Sequence, residues 1–155
     1  MIMHVAATAT FAALTMMMGC SAAMGCNAAE MAMGSTNLKG PNAAVGGVNV
    51  QDPNRPSSQT WDRHVDSCRY NASSHELSFL ADGKAVVTMS LAPSTRKAHL
   101  EYDRKTVDFP ENTCSVYKTD TISLHDGRAN GRVSLVCNQD HAALNLSVRF
   151  ERCGQ

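Results

Sequence analysis

The chain has 155 residues, 43 % of them hydrophobic, 5 % aromatic and 18 % charged, with no net charge at pH 7. That length holds one ordinary domain with short appendages rather than several domains. Zero net charge with mixed signs removes the electrostatic case for a nucleic-acid partner or for an anionic membrane surface.

Residues 5–18 (VAATATFAALTMMM) form an unbroken run of apolar or small residues. The run matches the core of a secretory signal and is shorter than the roughly 20 residues that span a bilayer. Only His4 stands where such a signal carries positive charge, and the first Lys or Arg is Lys39. Two Gly-Cys pairs end the region, Gly19-Cys20 and Gly25-Cys26. They resemble the bacterial lipobox, whose cysteine thiol takes a diacylglycerol thioether and becomes the new N-terminus. Met17 fills the place of the usual leucine, which favours Cys20 as the lipidated residue. Cysteine parity favours the alternative, Cys26, because cleavage there leaves four cysteines to pair. The resemblance implies a signal and lipobox region at 1–26 and a membrane-anchored lipoprotein of the bacterial cell envelope, at the outer membrane or cell surface. Without the lipid, the expectation is a periplasmic or secreted protein.

Composition changes near residue 60. Eight of nine Met lie in residues 1–33, whereas seven of eight aromatic residues lie at or after Trp61. Residues 27–59 are rich in Asn, Gly, Pro and Ser and hold no aromatic residue. Such a segment buries too little surface to offset its ordering entropy, so it is expected to be a flexible tether. Residues 60–155 are then the folded domain.

In that domain, residues 64–70 admit a helix but carry few apolar residues. Residues 77–80 and 85–91 flank Asp82-Gly83, a hairpin signal. Shorter strands are expected at 98–102 and 115–118. Residues 121–124 precede Asp126-Gly127 and Asn130-Gly131, further turn signals. In 133–137 the residues Val133, Leu135 and Cys137 fall on one face, with Ser134 and Val136 on the other. In 144–150 the alternation is clearest, with Leu144, Leu146, Val148 and Phe150 on one face. The polar stretch 138–141 joins these last two as a hairpin. The pattern predicts an all-β domain, a small antiparallel sandwich or barrel of six or seven strands.

Four cysteines, Cys68, Cys114, Cys137 and Cys153, lie in this domain. An even number in a small exported domain reads as two disulfides, and four cysteines allow three pairings. Joining the first and last elements favours Cys68–Cys153 with Cys114–Cys137, although spacing alone leaves all three open. A zinc site is disfavoured because no CxxC pair is present. The stretch with Asp126-Gly127, Gly131, Cys137 and the closing Phe150-Glu151-Arg152-Cys153 resembles small bacterial lipoproteins, among them mycobacterial lipoprotein antigens. That resemblance implies a surface-exposed β-domain and transfers no active site.

The chemistry-bearing residues do not assemble into a known catalytic pattern. His64, His75, His99, His125 and His141 form neither HxH nor HExxH. No serine lies in a GxSxG, and pairing of the four cysteines leaves no thiol nucleophile. Glu101, Asp103 and Asp108 are the nearest approach to paired carboxylates, and a solvated strand face accounts for them. Trp61 and Tyr70 could offer a sugar-stacking platform, but core packing is the stronger expectation. Asn71-Ala72-Ser73 and Asn145-Leu146-Ser147 fit the N-glycosylation pattern, which a bacterial lipobox makes idle. No catalytic residue, metal or cofactor is therefore assigned. The expected function is a non-enzymatic binding domain for a protein or envelope component, through the loops at 125–131 and 138–141. The alternatives are an envelope enzyme or enzyme inhibitor working through loop residues, and a structural envelope component.

Overall fold

The structure is a computed structural model, and it describes residues 38–54, 60–119, 121–140 and 142–155. Cys20, Cys26 and His141 lie outside the described residues.

Ten strands form one antiparallel sheet: β1 (Ala43–Gln51), β2 (Trp61–Asn71), β3 (Glu76–Ala81), β4 (Lys84–Ser90), β5 (Lys97–Tyr102), β6 (Lys105–Pro110), β7 (Cys114–Lys118), β8 (Ser123–His125), β9 (Arg128–Gln139) and β10 (Ala142–Cys153). Among the described residues, the expected six or seven strands are thus corrected to ten. β1 to β6 are a meander, each strand paired with the next, and β10 pairs with β1. β6 pairs with β5, while β7 and β8 pair in turn with β9. β6, β7 and β8 run in the same direction, so they act as one broken stave between β5 and β9. The sheet is thereby nearly closed into an up-and-down barrel of about eight staves, a size whose interior side chains fill it. Curling the sheet until its edges meet removes most of the exposed pairing groups that an open sheet would carry.

Three strands were not read from the sequence, for distinct reasons. β1 lies inside the segment expected to be a tether, and it is a central strand between β2 and β10. Its inward residues are Ala44, Val48 and Val50, and Gly46 interrupts their alternation. Gly46 has φ of +153°, and a Cβ there would lie 2.1 Å from the carbonyl oxygen of Ser147. Only glycine lets β1 and β10 approach this closely. β2 replaces the candidate helix at 64–70. Its buried residues Trp61, Val65, Cys68 and Tyr70 are spaced by four, three and two, which breaks the alternation that marks a strand. The irregularity is a shift of register between β1 and β2. β6 follows a turn without glycine. Asp103 and Arg104 both have positive φ, 45° and 64°, as in the type I′ turns at Asp82-Gly83 and Asp126-Gly127.

The barrel interior is one apolar cluster. Phe79, Phe109, Phe150, Leu77, Leu100, Leu135, Leu144 and Leu146 are fully buried in it. Phe79 and Phe150 meet edge-to-face with centroids 5.5 Å apart. Removing apolar side chains from water supplies the main driving force, at about 25 cal/mol per Å2. Two disulfides reinforce it. Cys68–Cys153 ties β2 to the end of β10, and Cys114–Cys137 ties β7 to β9. Such bridges indicate an oxidising, extracytoplasmic location. Among the described residues, no helix is long and apolar enough to cross a membrane.

Candidate functional site: a charged cleft at the barrel mouth

The alternating strand directions sort the connections onto two ends. The β1–β2 connection and the β3–β4, β5–β6 and β9–β10 turns share one end, here the mouth. The opposite end carries the β2–β3, β4–β5 and β8–β9 connections, the residues leading into β1, and the C-terminus.

At the mouth, Trp61 from β2 and Tyr102 from β5 meet edge-to-face at 6.1 Å and close the interior. Each carries a cation on its outer side. The Arg63 guanidinium sits 5.0 Å from the Trp61 ring centre, and the Lys105 ammonium 5.8 Å from that of Tyr102. A ring face attracts a cation through its quadrupole, so both arrangements are favourable.

Below them lies Asp52, the buried charged residue of the described chain, its side chain 3 % exposed. It accepts hydrogen bonds from Lys105 Nζ at 2.7 Å, Tyr102 Oη at 3.1 Å and the Asn54 backbone N–H at 2.9 Å. These donors favour the carboxylate, Lys105 most strongly, and hold its pKa down at about 2. A buried charge is tolerated only when paired and hydrogen-bonded in this way. Because Asp52 follows β1 while its partners lie on β5 and β6, the contact crosses the mouth and fixes one wall against the other.

Tyr102 and Lys105, which hold Asp52, also line an open cleft of about 680 Å3. Arg63, Lys84, Arg104 and Lys105 line it together with Asp82, Glu101 and Asp103. The two tight turns hold most of these charges. The β3–β4 turn is fastened to β2 by the Asp82 N–H, which donates to Asp66 Oδ2 at 3.0 Å. That bond, with the one from the Ser67 hydroxyl as the larger cause, lowers the Asp66 pKa. The cleft thus offers rigidly placed charges of both signs over an aromatic floor, a surface suited to holding a polar ligand.

The histidines and carboxylates singled out in the sequence separate. Trp61 and Tyr70 are both buried, as core packing requires, and form no exposed platform. His64 is exposed on the outer wall of β2. His75 occupies the β2–β3 turn, where its Nδ1 lies 3.3 Å from Tyr70 Oη. His125 pairs with Asp126 in the β8–β9 turn, at the end of β9 opposite the β9–β10 turn. Glu101 points outward from β5, but Asp103 belongs to the following turn, not to the same strand face. His99 and Asp108 are brought together across β5 and β6, Nδ1 to Oδ1 at 2.6 Å. That contact, with Lys97 as a lesser cause, lowers the Asp108 pKa. The other ring nitrogen of His99 faces Glu101 Oε1 at 3.9 Å. The His99–Asp108 contact ties β5 to β6 on the outer wall of the barrel. Among the described residues, no group of three or more His, Cys, Asp or Glu could hold a metal ion.

Sequence reasoning missed Asp52, which lay within the presumed tether, and the role of the Asp103-Arg104 turn. The turn's missing glycine hid it. Comparison with protein families, curated proteins and solved structures finds nothing that matches this chain. Function is therefore argued from the site alone.

Proposed function

We propose that the protein is an exported, lipid-anchored component of the bacterial cell envelope whose barrel is a non-enzymatic binding domain. The observation that carries this reading is the division of labour in the barrel. Its interior is occupied by packed apolar side chains, so a ligand meets the outside, and the mouth cleft concentrates fixed charges there. The lipobox-like Cys20, or Cys26, supplies the anchor, and the two disulfides suit the compartment. The binding surface is moved from the loops at 125–131 to the mouth, with the β9–β10 turn at its margin.

A photo-crosslinking amino acid placed at Arg104 in intact cells tests this. A discrete adduct, lost when Lys84→Glu is added, supports the mouth as the binding surface. The same probe at Ser147, on the outer wall of β10, is expected to give none. Equal labelling from both positions, or none from either, would overturn the assignment.

A further inference from the structure

We propose that the barrel end opposite the mouth is a second membrane contact, seating the domain on anionic lipid headgroups beside its anchor. This rests on the lipid-anchored reading above.

The chain enters the barrel at this end along a fixed path. The Asn42 N–H donates to the Arg152 carbonyl at 3.1 Å, and Asn42 Oδ1 accepts from the Gly154 N–H at 2.7 Å. Arg152 Nη2 donates to the Leu38 carbonyl at 3.4 Å. Three cations gather around this point. Lys39 follows Leu38, Arg152 holds it, and the Arg128 side chain lies against Gly154. All three are exposed, and none makes an ion pair among the described residues.

Of the acidic groups at this end, Glu151 pairs with Arg149 at 2.8 Å, Asp126 Oδ2 lies 3.0 Å from His125 Nε2, and Glu76 accepts from the Ser74 hydroxyl at 2.9 Å. At the same end stands Leu124 of β8, at 49 % the more exposed of the two exposed large apolar residues described. It pairs with Ala129, next to the β8–β9 turn and Arg128. An exposed apolar side chain and cations without ion-pair partners at the same end of the barrel are the composition of a surface that rests in the headgroup region. The mouth lacks this character, because Asp82 and Asp103 alternate there with Lys84 and Arg104. Zero net charge therefore conceals a local asymmetry.

The anchor makes a weak contact sufficient. A tether of about 12 to 18 residues from Cys26 or Cys20 to Leu38 spans at most roughly 40–60 Å, so the bilayer stays close to the barrel. Each basic residue near an anionic surface contributes about fivefold in affinity. With this end seated, the mouth cleft faces away from the membrane, toward a partner that comes from the far side.

Hydrogen exchange of the full lipidated protein, reconstituted in neutral and in anionic phosphatidylglycerol vesicles, tests the contact. The anchor itself is checked separately by intact mass, so failure of the anchor and failure of the contact are distinguishable. On anionic vesicles we expect exchange at 123–128 and 152–155 to slow several-fold, with 82–83 and 103–104 unchanged. The triple variant Lys39→Gln, Arg128→Gln, Arg152→Gln should abolish the difference. Identical exchange on the two kinds of vesicle, or protection confined to the mouth, would overturn the proposal.

Discussion

Asp52 places the largest electrostatic demand on a single side chain. Its pKa, lowered to about 2 by Lys105, Asn54 and Tyr102, lies below the unfolded carboxylate value of about 3.9. The sign follows directly. A depressed folded pKa contributes stability that is complete above the unfolded value and is lost as pH falls toward the folded one. The Asp52 contribution to thermal melting should therefore be full and independent of pH near neutrality, and should be lost between about pH 4 and pH 2. Asp52→Asn should melt below the wild type at pH 7, and the two curves should converge toward pH 2. Gly46 makes a steric demand instead. In Gly46→Ala the new Cβ meets the Ser147 carbonyl at a strained φ, and a loss of roughly 2 kcal/mol or more in denaturant unfolding is expected. Tyr117 shows the opposite case. Its buried hydroxyl has no hydrogen-bond partner among the described residues, and burial pushes its pKa up to about 12. Tyr117→Phe removes an unpaired polar atom, so its melting temperature should equal or exceed that of the wild type.

Strands are legible in sequence where one face is consistently buried. β9 and β10 alternate without interruption over most of their length, and β3 and β4 are framed by Asp82-Gly83. β2 was not legible because a register shift breaks the period-two spacing of its buried residues. β6 was not legible because Asp103-Arg104 makes a glycine turn without glycine. Both failures are local exceptions that only the pairing partner explains. The disulfides act at the same scale. Cys68–Cys153 spans 85 residues and Cys114–Cys137 spans 23. Loop-closure entropy predicts that replacing the first pair by alanine costs about 4–5 kcal/mol and the second about 3 kcal/mol. Unfolding in guanidinium checks the order. The interior is equally exacting, and Phe79→Ala, which opens a cavity against Phe150, should cost about 3–5 kcal/mol.

At the scale of the molecule, an all-β barrel supported by two bridges follows from alternation and cysteine count, as the sequence already suggested. The mouth was hidden because its parts are far apart in the chain. Asp52 reaches Tyr102 and Lys105 only after the sheet has curled, and no spacing rule gathers residues across a barrel. On the reading proposed above, what the barrel does is tied to where it stands, and that depends on Cys20 or Cys26. The central claim is an exported domain that is lipid-anchored and disulfide-closed. Intact mass of the protein from its native membrane fraction, with and without reductant, tests it most directly. The account predicts a mass beginning at Cys20 or Cys26 with acyl chains attached, taking up two hydrogens per bridge on reduction of both disulfides. A mass beginning at Met1, unacylated and unchanged by reductant, would contradict it.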